Sequence, residues 1–473
     1  MLKYFNYFII FFSLNFLFSS LVQSADCNDI SGSTATFSTS CTDLDIDGDG
    51  SNVTINSGVT IDGTSDAVGF ANATNTTLTN NGTISSSGSR GLRTTTSATI
   101  NDLSNNGTIS AGGSSGIRND GTITTLTNTN TISATGGYGI YNITGATIGT
   151  ITNSGTISAG TSFGLRNNGA ATITTLTNSG TISADQSGLW NGGTITTLTN
   201  TSNIKALDGE FGLKNVKGTI GTLTNSGTIS ASGNYGLFND QNSTSTAIIT
   251  TLINSGTISA GSNSGLWNDG TITTLTNTDT GNIKALDGNF GLKNVNGTIG
   301  TLTNSGTISA SGNYGLYNDG TATITTLTNT GTISSSGNEI GIYNDSTITT
   351  LNNSQGASSS ALTYTGNLPT NYNVIVNSTS DFGKTTFSDA SGTTTFGVHS
   401  TSTLAGSTTY SSVLSGLSSS DIASGTSDTF VSGSKRYDWT LSNSSGSLWD
   451  LVVAADQDIT PDTNTSVTSS VKP

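Results

Sequence analysis

Four aspartates near the N-terminus alternate with other residues in the pattern D-x-D-x-D-G-D. They are Asp43, Asp45, Asp47 and Asp49. Carboxylates at this spacing are typical of calcium loops, although the twelfth position, which an EF-hand fills with glutamate, is Thr54 here. The same spacing suits a strand that directs Leu44 and Ile46 inward and the aspartates outward. Both interpretations remain open, and no other metal or cofactor site is expected.

Residues that catalysis needs are scarce in this chain. It has one histidine, His399, and two glutamates, Glu210 and Glu339. Polysaccharide-cleaving enzymes need paired carboxylates, and a Ser-His-Asp triad needs a nucleophile motif that the sequence does not show. Aspartates of the repetitive region occur singly, at one turn: Asp120, Asp240, Asp269, Asp319 and Asp345. We therefore expect no enzymatic activity, with a polysaccharide-degrading β-helix as the alternative.

A row of aromatic and basic residues forms a candidate binding surface. Each member directly follows a Leu or Ile of an internal repeat, so we expect it on the outward side of a strand. This row, the edge stripe, comprises Arg93, Arg118, Tyr141, Arg166, Trp190, Lys214, Phe238, Trp267, Lys293, Tyr317 and Tyr343. Stacked rings can receive sugars or apolar protein surfaces, and neighbouring cations and rings attract each other. The edge stripe predicts adhesion to a glycan or protein, the alternative being a ladder that only stabilises the fold.

An internal repeat of about 25 residues must position this stripe. One copy reads TIGTLTNSGTISASGNYGLYNDG, residues 298–320, and the isoleucine of its GTIS element recurs from Ile84 to Ile333 at steps of 22 to 29 residues. A second apolar column lies six residues upstream in most copies, and a third runs from Leu92 to Ile342, always after a glycine. Such self-similarity is typical of solenoids, and short Thr- and Ile-rich elements between Asn, Ser and Gly clusters are strands.

Each copy is therefore one coil of about three short strands, stacked about 4.8 Å above the previous coil. The Ile and Leu columns face inward as a continuous core. The aromatic column of Tyr314 is also predicted to face inward, because it lies two residues before Leu316. Inward asparagines, from Asn119 to Asn344, are expected to hydrogen-bond along the stack. The fold class is all-β, a parallel β-solenoid.

The composition of the 473-residue chain agrees with this fold. Only 9% of residues are charged and the net charge is −15. Helix formers such as Glu, Lys and Arg are too rare for helical bundles or α/β folds, and the acidic balance disfavours nucleic acid as a partner. In a stacked solenoid a repeated charge would meet its own copy about 4.8 Å away, whereas Thr, Ser, Asn and Gly stack without repulsion.

Threonine-rich elements such as TITTLT, residues 122–127, raise ice binding as a further alternative. A flat array of threonines could match an ice surface. We expect the threonine columns to fall out of register between coils, so that ordinary β-propensity explains them.

The N-terminus has the features of an export signal. Lys3 precedes an apolar run from Tyr4 to Val22, and small residues follow the run. This pattern favours a cleaved signal peptide over a membrane anchor. Cys27 and Cys41 are the only cysteines, and in an oxidising compartment we expect them to form a disulfide that ties down an N-terminal cap.

Tandem LTNSGTIS and GLYND coils behind an export signal resemble the passenger regions of bacterial autotransporters, the type V secretion family. The resemblance covers about residues 25–455 and includes YNVIVNSTSDFGKTTFSDASGTTTFGVHSTSTL, residues 372–404, followed by YSSVLSGL and WDLVV, which are similar to the segment that closes such passengers. It implies a right-handed parallel β-helix carried to the cell surface. The family continues into an outer-membrane translocator barrel, whereas this sequence ends in TNTSVTSSVKP, so the barrel is an expected partner outside this chain.

Together these patterns predict an exported, adhesin-like bacterial protein, at the cell surface and outer membrane or extracellular, that binds a glycan or protein. The predicted segments are an export signal at 1–24, an N-terminal cap at 25–65, a repetitive β-helix at 66–355, a C-terminal β cap at 356–455 and a polar linker at 456–473.

Overall fold

The computed structural model describes residues 25–241 and 246–459. The predicted export signal and most of the predicted polar linker lie outside these ranges. The described residues form strands, turns and one short 3-10 helix, Ser419–Asp421. Among them, no helix has the length and apolar character needed to cross a membrane.

A single coil shows why the sequence folds in this way. In Thr219–Asn225, Thr228–Ala231 and Tyr235–Asp240, β-branched and aromatic residues build three strands, and Ser, Gly and Asn form the corners between them. Each strand pairs in parallel with its equivalent in the next coil, as Ile229 does with Ile258. The predicted parallel β-solenoid of about 25-residue coils is thereby confirmed.

The strands form three sheets that run the length of the solenoid. The first sheet contains Thr34–Phe37, Asn52–Ile55, Thr76–Asn80, Thr99–Asn105, Thr122–Asn128, Thr147–Asn153, Thr172–Asn178, Thr194–Asn200, Thr219–Asn225, Ile248–Asn254, Thr271–Asn277, Thr298–Asn304, Thr323–Asn329, Thr347–Asn353, Asn371–Val374, Thr394–Val398 and Ile422–Ser424.

The second sheet has the shortest strands, most of four residues. It contains Cys41–Thr42, Thr60–Gly63, Thr83–Ser86, Thr108–Ala111, Thr131–Ala134, Thr156–Ala159, Thr181–Ala184, Asn203–Ala206, Thr228–Ala231, Thr257–Ala260, Asn282–Ala285, Thr307–Ala310 and Thr332–Ser335.

The third sheet carries the edge stripe. Its parallel strands are Leu44–Ile46, Asp66–Phe70, Arg90–Thr94, Ser115–Asn119, Tyr138–Asn142, Phe163–Asn167, Ser187–Asn191, Phe211–Val216, Tyr235–Asp240, Ser264–Asn268, Phe290–Val295, Tyr314–Asp319, Ile340–Asn344, Leu362–Asn367, Thr385–Ser391 and Thr408–Ser415. Antiparallel strands follow at its C-terminal end: Ser427–Ser432, Lys435–Ser445, Leu448–Val453 and Gln457–Asp458.

The parallel stack continues beyond residue 355, although the sequence repeat ends there. Leu362–Asn367 pairs with Ile340–Asn344, and Asn371–Val374 pairs with Thr347–Asn353. The second sheet stops earlier, at Thr332–Ser335. Its last strand is covered in part by a side chain, because the Ile333 backbone N–H donates to Oε1 of Gln355 at 2.8 Å.

The core consists of stacked apolar columns along the axis of the solenoid. In one coil Ile220, Leu223, Ile229 and Leu237 are all 0% exposed, and their equivalents in neighbouring coils are buried in the same way. Each such side chain contributes about 1.5–3 kcal/mol when it leaves water. The inward Ile and Leu columns that the repeat predicted are therefore the core of the structure.

Two ladders of buried asparagines run beside this core, one at the end of each first-sheet strand and one at the end of each third-sheet strand. The first Asn ladder is Asn80, Asn105, Asn128, Asn153, Asn178, Asn200, Asn225, Asn254, Asn277, Asn304, Asn329 and Asn353. Each Nδ2 donates to Oδ1 of the next member at 2.7–3.1 Å.

The second Asn ladder is Asn119, Asn142, Asn167, Asn191, Asn215, Asn239, Asn268, Asn294, Asn318 and Asn344. Its links measure 2.7–2.9 Å. The same amides donate to corner carbonyl groups, as Asn119 does to Gly121 and Thr147. Both ladders satisfy buried polar groups at the corners. Only the second ladder was predicted.

At the N-terminal end, Cys27 and Cys41 are bonded to each other, with their Cα atoms 5.1 Å apart. Bridges from Asp26 to Thr42 and from Ile30 to Ile46 attach this segment to the first coils. The disulfide therefore holds the chain against the open end of the stack.

Candidate functional site

The edge stripe lies on the outward side of the third sheet. Its eleven members occupy equivalent positions and pair in one continuous register from Arg93 to Tyr343. Every member is half-buried, so each side chain keeps part of its surface in contact with solvent. The structure therefore places all the predicted residues of the edge stripe on one face.

A second aromatic column lies beside the stripe, and here the sequence prediction was wrong. The column of Tyr314, expected inside, lies on the outer face: Tyr138, Phe163, Phe211, Tyr235, Phe290 and Tyr314. The glycine after each ring explains the difference. A Cβ on Gly139 would lie 2.8 Å from Cγ2 of the core residue Ile157, so Gly139 itself faces the core and Tyr138 faces outward.

The two columns together form three successive clusters of ring contacts on one face, at 138–190, 211–267 and 290–343. Tyr138 and Tyr141 have ring centroids 4.6 Å apart, and Phe163 stacks on Trp190 at 6.0 Å. Further along the rod, the shortest contacts are those of Tyr235 with Phe238 at 5.0 Å, and of Tyr314 with Tyr343 at 4.8 Å. The aromatic surface is therefore twice as wide as the sequence alone suggested.

Single cations lie between these rings. The Arg166 guanidinium is 4.8 Å from the Trp190 ring centroid and 5.3 Å from that of Tyr141, and its Nη1 donates to the Tyr138 hydroxyl at 2.7 Å. Lys214 lies 4.2 Å from the Phe211 ring centroid. Such contacts stabilise both the cation and the rings, by about 0.5–1 kcal/mol at exposed sites.

The two lysines of the stripe also have carboxylate partners. Lys214 forms an ion pair with Asp240 at 3.2 Å, and Lys293 forms one with Asp319 at 3.7 Å. Both aspartates lie at the corner that follows the stripe residue of the next coil. The sequence assigned these aspartates to turn formation alone, and their role as partners of the preceding lysine was missed.

Burial changes the ionisation of several stripe residues. Desolvation lowers the pKa of Lys293, and the nearby Asp319 carboxylate opposes that shift. Desolvation, followed by the hydrogen bond with Asp319, raises the pKa of Tyr317. At neutral pH the tyrosine hydroxyl is therefore protonated and able to donate a hydrogen bond.

The N-terminal end of the stripe is ionic and carries no ring. Arg93 and Arg118 both contact Asp120, at 3.2 Å and 2.5 Å, and Arg90 contacts Asp66 at 3.0 Å. The aromatic surface therefore begins with Tyr138 and Tyr141 and extends toward the C-terminus.

The four aspartates of the calcium hypothesis lie on the outside of the first coils. Asp43, Asp45, Asp47 and Asp49 are exposed, whereas Leu44 and Ile46 are buried. Asp49 accepts hydrogen bonds from the backbone and hydroxyl of Thr74 at 2.9 and 2.8 Å. Within the described ranges, no three His, Cys, Asp or Glu side chains form a group suited to a metal ion. The observed arrangement is that of the outward side chains of a strand, and calcium binding is not supported by a ligand cluster.

Within the part of the chain that the structure describes, the side chain of His399 forms hydrogen bonds only with Thr401. Its Nδ1 lies 2.8 Å from the Thr401 hydroxyl and also accepts from the Thr401 backbone N–H at 3.3 Å. Burial lowers its pKa. The repeat aspartates occur at most once per coil, and Asp120, Asp240 and Asp319 each pair with a cation.

Comparison with known proteins finds no relative of this chain. No protein-family model matches it, and no match is found among the curated proteins or the solved structures. What the geometry defines is a parallel β-solenoid with an extended aromatic surface on one face.

Proposed function

We propose that this protein is an exported, non-catalytic, adhesin-like solenoid that binds a neutral polysaccharide along the edge stripe. The observation that carries the proposal is the series of ring clusters from Tyr138 to Tyr343 on one outer face, in which every coil contributes at least one ring. Apolar side chains that keep contact with solvent over many successive coils are typical of an interaction surface.

An extended ligand suits the shape of this surface. The rings recur with every coil, at intervals of about 4.8 Å along the rod, so a linear polymer can contact many of them in succession. The apolar C–H face of a sugar ring packs against an aromatic face. The Tyr317 hydroxyl, which donates its proton to Asp319, can accept a hydrogen bond from a sugar hydroxyl.

The charges favour a neutral ligand over an acidic one. Lys214 and Lys293 are already paired with Asp240 and Asp319, and their side chains are 19% and 13% exposed. The chain as a whole carries a net charge of −15, which repels polyanions. Aromatic stacking, rather than ionic attraction, is therefore expected to provide the affinity.

Export and surface display belong to the same proposal. The disulfide between Cys27 and Cys41 suits an oxidising compartment, and the solenoid fold suits an autotransporter-type passenger at the bacterial cell surface. The translocator barrel expected as a partner is likewise proposed.

The test is a double substitution in the stripe. We expect Trp190→Ala with Trp267→Ala to reduce binding to polysaccharide-coated surfaces and cells at least tenfold. Thr199→Ala with Thr276→Ala, on the outward side of the first sheet, is the matched control and should leave binding unchanged. Equal binding by both double variants would overturn the proposal, as would binding only to a protein ligand.

A further inference from the structure

The outward side of the first sheet carries two columns of threonines that stay in register over ten coils. Each coil from Thr122–Asn128 to Thr347–Asn353 presents the triplet Thr-x-Thr or a close variant of it, with Leu or Ile between the two outward residues. The expectation that these columns lose register between coils was wrong. Successive strands pair residue by residue in spite of the variation in repeat length, as Thr224 does with Ile253 and Asn225 with Asn254.

The two columns, called the Thr array, are nearly complete. The first column is Thr125, Thr150, Thr175, Thr197, Thr222, Thr251, Thr274, Thr301, Thr326 and Thr350. The second column is Thr127, Thr152, Thr177, Thr199, Thr224, Ile253, Thr276, Thr303, Thr328 and Asn352.

The hydroxyl groups of this array are free to contact water. Within the described ranges, Thr328 is the one array threonine whose side chain hydrogen-bonds to another protein group, accepting from Nδ2 of Asn352 at 3.0 Å. Threonines elsewhere behave differently: the hydroxyl of Thr77, two coils earlier, donates to Oδ1 of Asn52 at 2.8 Å. The array therefore presents repeated, unpartnered hydroxyl and methyl groups on a firm backbone.

Charge is also missing from this face. None of the ten strands from Thr122–Asn128 to Thr347–Asn353 contains Asp, Glu, Lys or Arg. The other two sheets carry outward cations in the same region, such as Lys205 on the second sheet and Lys214 on the third. A charged side chain binds its own hydration water, and that water does not fit an ordered crystal lattice. An uncharged face is therefore better suited to a crystalline ligand than to a charged polymer.

We propose that the Thr array binds ice. Equivalent threonines repeat at about 4.8 Å along the rod and at about 6.6 Å along each strand, as the geometry of parallel strands dictates. These two spacings approximate the repeats of water molecules on the surfaces of hexagonal ice. Methyl groups order the water between the columns, and hydroxyl groups hydrogen-bond to it, so water held on the array can merge with a growing crystal.

This site is separate from the edge stripe, because the two surfaces belong to different sheets. Loss of glycan binding in the tryptophan double variant should leave ice binding intact, and loss of ice binding should leave glycan binding intact. The two proposals can therefore fail independently.

Ice-growth measurements on the purified chain test the proposal. We expect crystals in its presence to become faceted and to show thermal hysteresis. Thr224→Tyr adds a ring beside Ile253 and should lower the hysteresis at least threefold. Ser158→Tyr, at an outward half-buried position of the second sheet, is the matched control and should leave it unchanged.

A second variant distinguishes loss of ice binding from a folding defect. Thr177→Lys places a charge on the same face without touching the core, and with an unchanged melting temperature it should also reduce the hysteresis. Absence of both crystal shaping and hysteresis for the natural chain would overturn the proposal. So would full activity in both Thr224→Tyr and Thr177→Lys.

Discussion

Replacing Asn105 with alanine interrupts the first Asn ladder at a fully buried position. The Asn105 side chain accepts from Asn80 Nδ2 at 2.8 Å and donates to Asn128 Oδ1 at 2.8 Å and to the Thr131 carbonyl at 2.9 Å. Alanine removes all three hydrogen bonds and leaves Asn128 Oδ1 without this donor. We therefore expect the coils on both sides of the break to be destabilised.

The size of the effect follows from these contacts. Each buried hydrogen bond contributes about 1 kcal/mol net, and a buried acceptor left unpaired costs about 1–3 kcal/mol more. We expect Asn105→Ala to lower the free energy of unfolding by about 4 kcal/mol, a large part of the stability of an ordinary domain.

The neighbouring residue supplies the control. Asn106 is exposed, and its Nδ2 donates to Asn81 Oδ1 at 3.0 Å on the surface. Asn106→Ala should cost no more than about 0.5 kcal/mol. Urea titration followed by far-UV circular dichroism compares the two variants with the natural chain. Equal shifts for Asn105→Ala and Asn106→Ala would refute the view that the buried ladder holds the corners together.

Three further substitutions test the core, the third-sheet glycines and a half-buried carboxylate. Ile229→Asp places an unpaired charge at a 0% exposed position and should cost more than about 4 kcal/mol; an unchanged melting temperature would count against the inward column. Gly236→Ala puts a Cβ 2.6 Å from the carbonyl oxygens of Gly265 and Ser259, so it should cost at least about 3 kcal/mol, and neutral behaviour would contradict the packing. Asp269→Asn should stabilise the chain at neutral pH, because burial and then Asp240 raise the pKa of Asp269 in the fold.

The pH dependence of the Asp269 effect has a definite sign. A carboxyl whose pKa is raised in the fold binds its proton more readily in the folded chain than in the unfolded one, so its ionisation destabilises the fold as the pH rises. The gain from Asp269→Asn should therefore be complete at neutral pH and vanish below the ordinary aspartate pKa of 3.8. Melting curves at several pH values measure it. A gain that grows toward low pH would contradict the assignment.

The solenoid was predictable because its sequence signals repeat. Ile229 and Leu237 recur in every coil, so their burial could be inferred from spacing alone, and the outward position of Trp190 followed from its place after Leu189. The first Asn ladder was not predicted, although its member Asn225 ends the recurrent element LTN. A residue beside Ser and Gly looks like part of a turn until the structure shows its amide buried.

Two errors have identifiable physical causes. Strict alternation placed Tyr314 inside, but Gly315 has no room for a Cβ and takes the inward position itself. The threonine columns were expected to lose register between coils, whereas the backbone pairing of the parallel strands keeps their residues aligned, as between Ile248–Asn254 and Thr271–Asn277. Beyond residue 355 the repeat disappears from the sequence, so spacing could not reveal that Asn371–Val374 continues the parallel stack.

The most direct test of the central claim, that stacked coils create a neutral-glycan surface along the edge stripe, is a polysaccharide array probed with the purified chain at low and high salt. We predict binding to extended neutral polysaccharides that persists in high salt and is lost in the Trp190→Ala, Trp267→Ala double variant. Binding confined to acidic polysaccharides and abolished by salt, or binding that survives the double substitution, would contradict it.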